Sequence, residues 1–121
     1  MKESILREKS FKFAVRIVKF YKYLCETKKE FVLSKQILRS GTSVGAMVRE
    51  AEHSESTLDF IHKLAIAQKE INETIYWLEL LKETDYISNK EFLSIHGDAL
   101  EIIRITTASI KTLKSKTNCK L

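Results

Sequence analysis

The sequence predicts an all-α protein, an up-and-down four-helix bundle, and three observations carry that prediction. There is no proline and there are only three glycines, too few for the many tight turns of sandwiches and barrels. Apolar residues recur three and four apart along most of the chain, the period of a helix face and not of a strand. Polar segments such as TKKE and HSESTLD break this pattern into successive runs, and connections that short favour antiparallel neighbours. A length of 121 residues fits one domain with one modest core.

The first helix is predicted over roughly 10–26, with Ala14, Ile17, Val18, Tyr21, Leu24 and Cys25 on its inner face. The second is predicted over 34–53, with Ser34 as its N-cap and Ile37, Leu38, Val44, Val48 and Ala51 along its stripe. Gly41 and Gly45 fall in the same band. The third, over 57–83, is capped by Ser56 or Thr57, and Asp59 complements the helix dipole in its first turn. Phe60, Leu64, Ala67, Ile71, Leu78 and Leu81 form its stripe. The fourth, over 88–115, has the strongest start signal: Ser88 and Glu91 make a capping box, and Ile87 and Phe92 sit where a hydrophobic staple would. Its seam alternates three and four residues from Phe92 through Ile95, Ala99, Ile102, Thr106 and Ser109 to Leu113. Residues from Lys116 onward are expected to fray.

The helices carry more apolar surface than one small bundle needs. Phe11, Phe13 and Phe20 widen the first, Ile66, Tyr76, Trp77 and Leu80 the third, and Leu93, Leu100, Ile103 and Ile105 the fourth. An excess repeated on several helices points to a subunit interface.

The segment GTSVG, residues 41–45, matches the G-x-S-x-G pattern of serine hydrolases. A nucleophile elbow needs a strand before the serine and a parallel sheet beneath it. Helical spacing precedes Ser43 instead, and no strand–helix alternation occurs anywhere. On a helix, Gly41 and Gly45 lie four apart on one face, where they permit close approach of a neighbouring helix. Each glycine costs about 1 kcal/mol against alanine inside a helix, so close packing is the expected compensation. No Gly-Lys-Ser/Thr follows Gly45, which excludes a P-loop. Glu50-x-x-His53 and Asp59-x-x-His62 have the spacing of di-metal bundle ligands, but they flank one turn and do not face each other at mid-bundle. No catalytic residue, metal ligand or cofactor is therefore assigned, and a di-metal enzyme is the remote alternative.

The N-terminus lacks an apolar signal region, and no apolar run approaches the ~20 residues that span a bilayer. A cytoplasmic protein is expected, with Cys25 and Cys119 as free thiols. Charge is uneven: residues 1–40 carry net +7, residues 41–87 net −5 and residues 88–121 net +3. Lys9, Lys12, Arg16 and Lys19 form a row on the first helix, and Arg104, Lys111 and Lys114 follow on the fourth. In an up-and-down bundle the two rows could merge into a patch suited to phosphates; the alternative is a solvated lysine face that keeps the protein soluble. No recognition strand or zinc-finger spacing supports base-specific readout.

Several blocks resemble one family. They run Gln36-Ile37-Leu38-Arg39-Ser40-Gly41-Thr42-Ser43-Val44-Gly45-Ala46, then Glu50-Ala51, Asp59-Phe60-Ile61-His62-Lys63-Leu64, Ala67-x-Lys69-Glu70 and Tyr76-Trp77-Leu78-x-Leu80-Leu81. In order and length they are similar to the bacterial four-helix proteins encoded by intervening sequences of 23S ribosomal RNA genes. The resemblance covers about residues 11–113. It implies a homo-oligomeric ring, typically a homopentamer, with no known catalytic site. A related branch, the accessory proteins of diversity-generating retroelements, implies binding of nucleic acid and of a reverse transcriptase. By that resemblance Lys9, Lys12, Arg16 and Lys19 become polyanion contacts, while Gly41, Gly45, Tyr76 and Trp77 serve packing and assembly. The expectation is a non-enzymatic protein with partners among its own copies and RNA, DNA or a nucleic-acid enzyme, and with no membrane or small-molecule substrate. A purely structural assembly module is the alternative.

Overall fold

A computed structural model describes residues 2–118. Four α-helices follow in order, α1 Lys2–Glu26, α2 Leu33–Ala51, α3 Thr57–Glu83 and α4 Asn89–Asn118, with no strand among the described residues. Each packs on its chain neighbours and α4 closes back on α1, while the backbones of the diagonal pairs stay apart. Contacts fix the neighbours as antiparallel. Arg7 reaches Glu52 and Cys25 reaches Ser34 across α1–α2. Ser40 meets Thr74 across α2–α3, Gln68 meets Thr107 across α3–α4, and Lys9 meets Glu101 across α4–α1. The α4–α1 seam is the sparsest of the four.

α1 begins eight residues before the predicted start. Leu6 is buried there, one turn before Ser10, so the seam runs Leu6, Ser10, Phe13, Ile17, Phe20, Leu24. Within ILREK, residues 5–9, Leu6 alone is buried, too sparse a signal to read as periodic. The longer seam also rotates the inner face. Phe13 and Phe20 belong to the core and not to the surplus, whereas Ala14, Val18, Tyr21 and Cys25 lie at its margin, half-buried.

Ser34 is not the cap of α2. It sits inside the helix, buried, and donates its hydroxyl back to the Glu30 carbonyl at 2.8 Å. The cap is the Glu30 carboxylate, only 7 % exposed, which accepts from the backbone N–H groups of Val32, Leu33 and Ser34 at 3.2, 3.0 and 2.7 Å. These are orphan donors of the first turn, and a negative charge there also suits the dipole. Burial alone would raise the Glu30 pKa. The Leu33, Ser34 and Val32 bonds overcome it and hold the carboxyl below its ordinary value. α2 ends at Ala51, two residues short of the predicted end.

Ser56 caps α3, its side chain accepting from the Asp59 N–H at 3.1 Å. The Ser88–Glu91 capping box forms in both directions, each bond 3.1 Å, beside buried Ile87 and Phe92. α4 continues to Asn118, so Lys116 and Thr117 are helical; Cys119 to Leu121, including the expected Cys119 thiol, lie outside the described residues. Cys25 is a free thiol, 3.7 Å from the Ser34 hydroxyl.

Candidate nucleic-acid interface

The GTSVG segment lies wholly within α2, and Ser43 donates its hydroxyl to the Arg39 carbonyl one turn back at 2.6 Å. The glycines face α1. A Cβ on Gly41 would stand 2.9 Å from both γ-carbons of Ile17, and one on Gly45 would stand 3.2 Å from the Ser10 carbonyl oxygen. Those distances are too short for ordinary contact, so glycine sets the spacing of α1 and α2.

The basic row on α1 is arranged differently from its expected form. Lys9 pairs with Glu101 of α4 at 3.0 Å. Arg16 spans two partners on α4, Asp98 at 2.8 Å and the Ser94 hydroxyl at 2.7 Å. Lys12 turns to Glu8 on its own helix at 3.0 Å, and that bond lowers the Glu8 pKa. Arg104 shares Glu101 with Lys9 at 3.9 Å. Lys19, Lys111 and Lys114 are exposed and make no ion pair among the described residues. The two rows do not merge into one open cationic patch: α4 carboxylates stand between them. A recess of about 160 Å³ remains in this seam, lined by Lys9, Lys12, Phe13, Asp98, Glu101 and Ile102.

A signal for these partners exists in the sequence. Lys9 and Arg16 are seven apart on one helix face, and Asp98 and Glu101 are three apart on another. Such rows match once the helices are known to be antiparallel. Trp77 donates its indole N–H to Glu73 at 3.1 Å, and Arg39 reaches the same carboxylate at 3.6 Å. Tyr76 packs edge-on against Trp77, centroids 5.1 Å apart, yet stays 56 % exposed.

The Glu50 and Asp59 motifs do not converge as metal ligands. Glu50 pairs with Lys63 at 3.4 Å, and no three His, Cys, Asp or Glu side chains cluster as a metal site among the described residues. No described helix is long and apolar enough to cross a membrane.

These features define a class: a four-helix bundle with one glycine-spaced seam, one salt-bridged seam and apolar side chains left on its outer faces. The chain belongs to the 23S rRNA-intervening sequence protein family, whose sequence profile matches residues 2–108. It is also similar to a crystal structure of a protein of unknown function from the S23 ribosomal protein family of Bacteroides thetaiotaomicron VPI-5482. Identity is 56 % and the TM-score 0.91, with 92 % of this chain and 99 % of that one covered. No curated protein matches the chain.

Proposed function

We propose that the chain is a non-catalytic subunit that assembles with copies of itself in the cytoplasm and binds nucleic acid, or a protein that handles it, through basic helix faces. The observation that carries self-assembly is the surplus of large apolar side chains on outward faces. Phe11, Val15, Tyr76, Leu93 and Leu100 are 39–57 % exposed, although the core beneath them is complete. A ring, five-membered by family resemblance, would cover them.

Polyanion binding rests on charge. Residues 1–40 carry net +7, and Lys19, Lys111 and Lys114 keep their cations unneutralised among the described residues. Lys9, Arg16 and Arg104 contribute less to a phosphate contact, because Asp98 and Glu101 already hold them. This neutralisation favours a second reading, a structural module whose partner is a protein.

Two measurements test the proposal. Native mass should exceed that of one chain. Filter binding should retain single-stranded RNA at low salt and lose it steeply as salt rises, by a slope of about 0.7 per phosphate neutralised. Replacing Lys19, Lys111 and Lys114 by glutamate should abolish retention. Absence of binding at low salt leaves only the structural module.

A further inference from the structure

We propose that the outer groove of α1 and α2 docks on the outer groove of α3 and α4 of a second copy, side by side and parallel. The proposal rests on the self-association reading and names its two faces.

Phe11 and Val15 lie one turn apart on α1, 53 % and 39 % exposed. Lys22 continues the same face seven residues on. The Arg49 guanidinium of α2 stacks over the Phe11 ring at 5.0 Å, so this face opens on the α1–α2 groove. A recess of about 240 Å³ lies there, lined by Ala14, Thr42, Gly45 and Ala46 beside Phe11 and Arg49. Lys22 of α1 and Lys35 of α2 are exposed and join no ion pair among the described residues.

The opposite flank is apolar along its middle and acidic at the α3 C-terminal end, whereas the far end of α4 is basic, with exposed Lys114 seven residues beyond Thr107. Leu93 and Leu100 are seven apart on α4, 57 % and 46 % exposed, and Thr107 extends their face by seven more. Thr107 bonds Gln68 of α3 at 2.7 Å, which brings the Gln68–Asn72–Tyr76 ridge onto the same groove. Glu79 and Glu83 prolong that ridge, exposed and free of ion pairs among the described residues.

The levels along the bundle also match. The Lys9–Glu101 pair puts Phe11 near the level of Leu100, and the Gln68–Thr107 bond puts Leu100 near the level of Tyr76. The Arg16–Ser94 bond and the Lys82–Phe92 contact carry the same register to the other end, where Lys22 and Lys35 stand level with the α3 C-terminal turns bearing Glu83. A parallel neighbour therefore sets Phe11 and Val15 against Tyr76 and Leu100, with lysines facing glutamates. Because the helices pack in the cyclic order α1, α2, α3, α4, the two grooves occupy opposite flanks. Such a contact is heterologous: it builds a ring where the rotation between copies closes and an open filament where it does not.

The test measures native mass against concentration for the wild-type chain, Lys22→Glu/Lys35→Glu, Glu79→Lys/Glu83→Lys and the fourfold swap, with circular dichroism to confirm that each is helical. Either double variant should raise the concentration needed for assembly about tenfold or more, and the fourfold swap should restore it. In a chain with Cys25→Ser and Cys119→Ser, Val15→Cys together with Leu100→Cys should give an oxidised ladder, and each alone none. Wild-type multimers with unaffected double variants and no ladder would overturn the docking faces while leaving self-association intact. A monomeric wild-type chain would overturn both.

Discussion

The two edges of α1 are held by opposite means. Toward α2, the glycines let backbones approach until the Ser10 carbonyl lies 3.2 Å from where a Gly45 Cβ would be. Toward α4, long side chains bridge a sparser seam, with Lys9 on Glu101 and Arg16 on Asp98 and Ser94. The first edge depends on shape and should tolerate no added bulk. The second depends on exposed charge and should tolerate substitution but respond to salt. One helix can therefore be rigidly placed on one side and adjustable on the other.

The strongest way to break this contrast is Gly41→Leu. Its side chain must displace Ile17 in a filled core, and overpacking of this kind costs about 3 kcal/mol. Urea denaturation should show the loss as a fall in midpoint, and an unchanged midpoint would contradict the tight seam. Next comes the turn joining α1 to α2. Glu30→Gln removes the charge that three backbone donors share and should cost about 1.5–3 kcal/mol. The sign with pH follows from the lowered pKa. The cap is fully effective above the unfolded-state value of 4.5, and its contribution falls as pH drops through the lower folded-state value. Stability of the wild-type chain should decline over that window, and Glu30→Gln should flatten the decline.

Gly97 supplies the counterpart on α4. Nothing lies within 4 Å of a Cβ built there, so Gly97→Ala should gain about 0.8–1 kcal/mol of helix propensity. A loss in thermal denaturation would mean that α4 is also closely approached. The smallest effect belongs to Arg16 and Asp98, whose side chains are 37 % and 51 % exposed. A double-mutant cycle should give about 0.5 kcal/mol of coupling at low salt and less at high salt. Coupling that ignores salt would move this pair into the class of shape-determined contacts.

Local signals were legible where neighbours in sequence satisfy each other. The Ser88–Glu91 box and the Ser56 cap need only three-residue spacing, and both form. Ser34 misled because it has the right residue type one turn too late, while the acceptor is a glutamate four residues earlier. That choice depends on Glu30 being buried as the chain reverses, and burial is not local. The α1 seam misled for a related reason. Phe11, Phe13 and Ala14 are similar by hydropathy, yet only Phe13 is fully enclosed, because the position of α2 and α4 selects which arc is inside.

By itself the sequence determined helix type and number and the caps of α3 and α4, since period, three-residue capping and the lack of breakers act within a few residues of each other. It also determined that Gly41 and Gly45 share a face, because helical geometry alone places residues four apart together. Only the tertiary structure decided which cations remain free. Lys9 and Arg16 lose much of their field to carboxylates on α4, some 80 to 90 residues away in the chain, and Coulomb attraction acts through space once packing has set the distance.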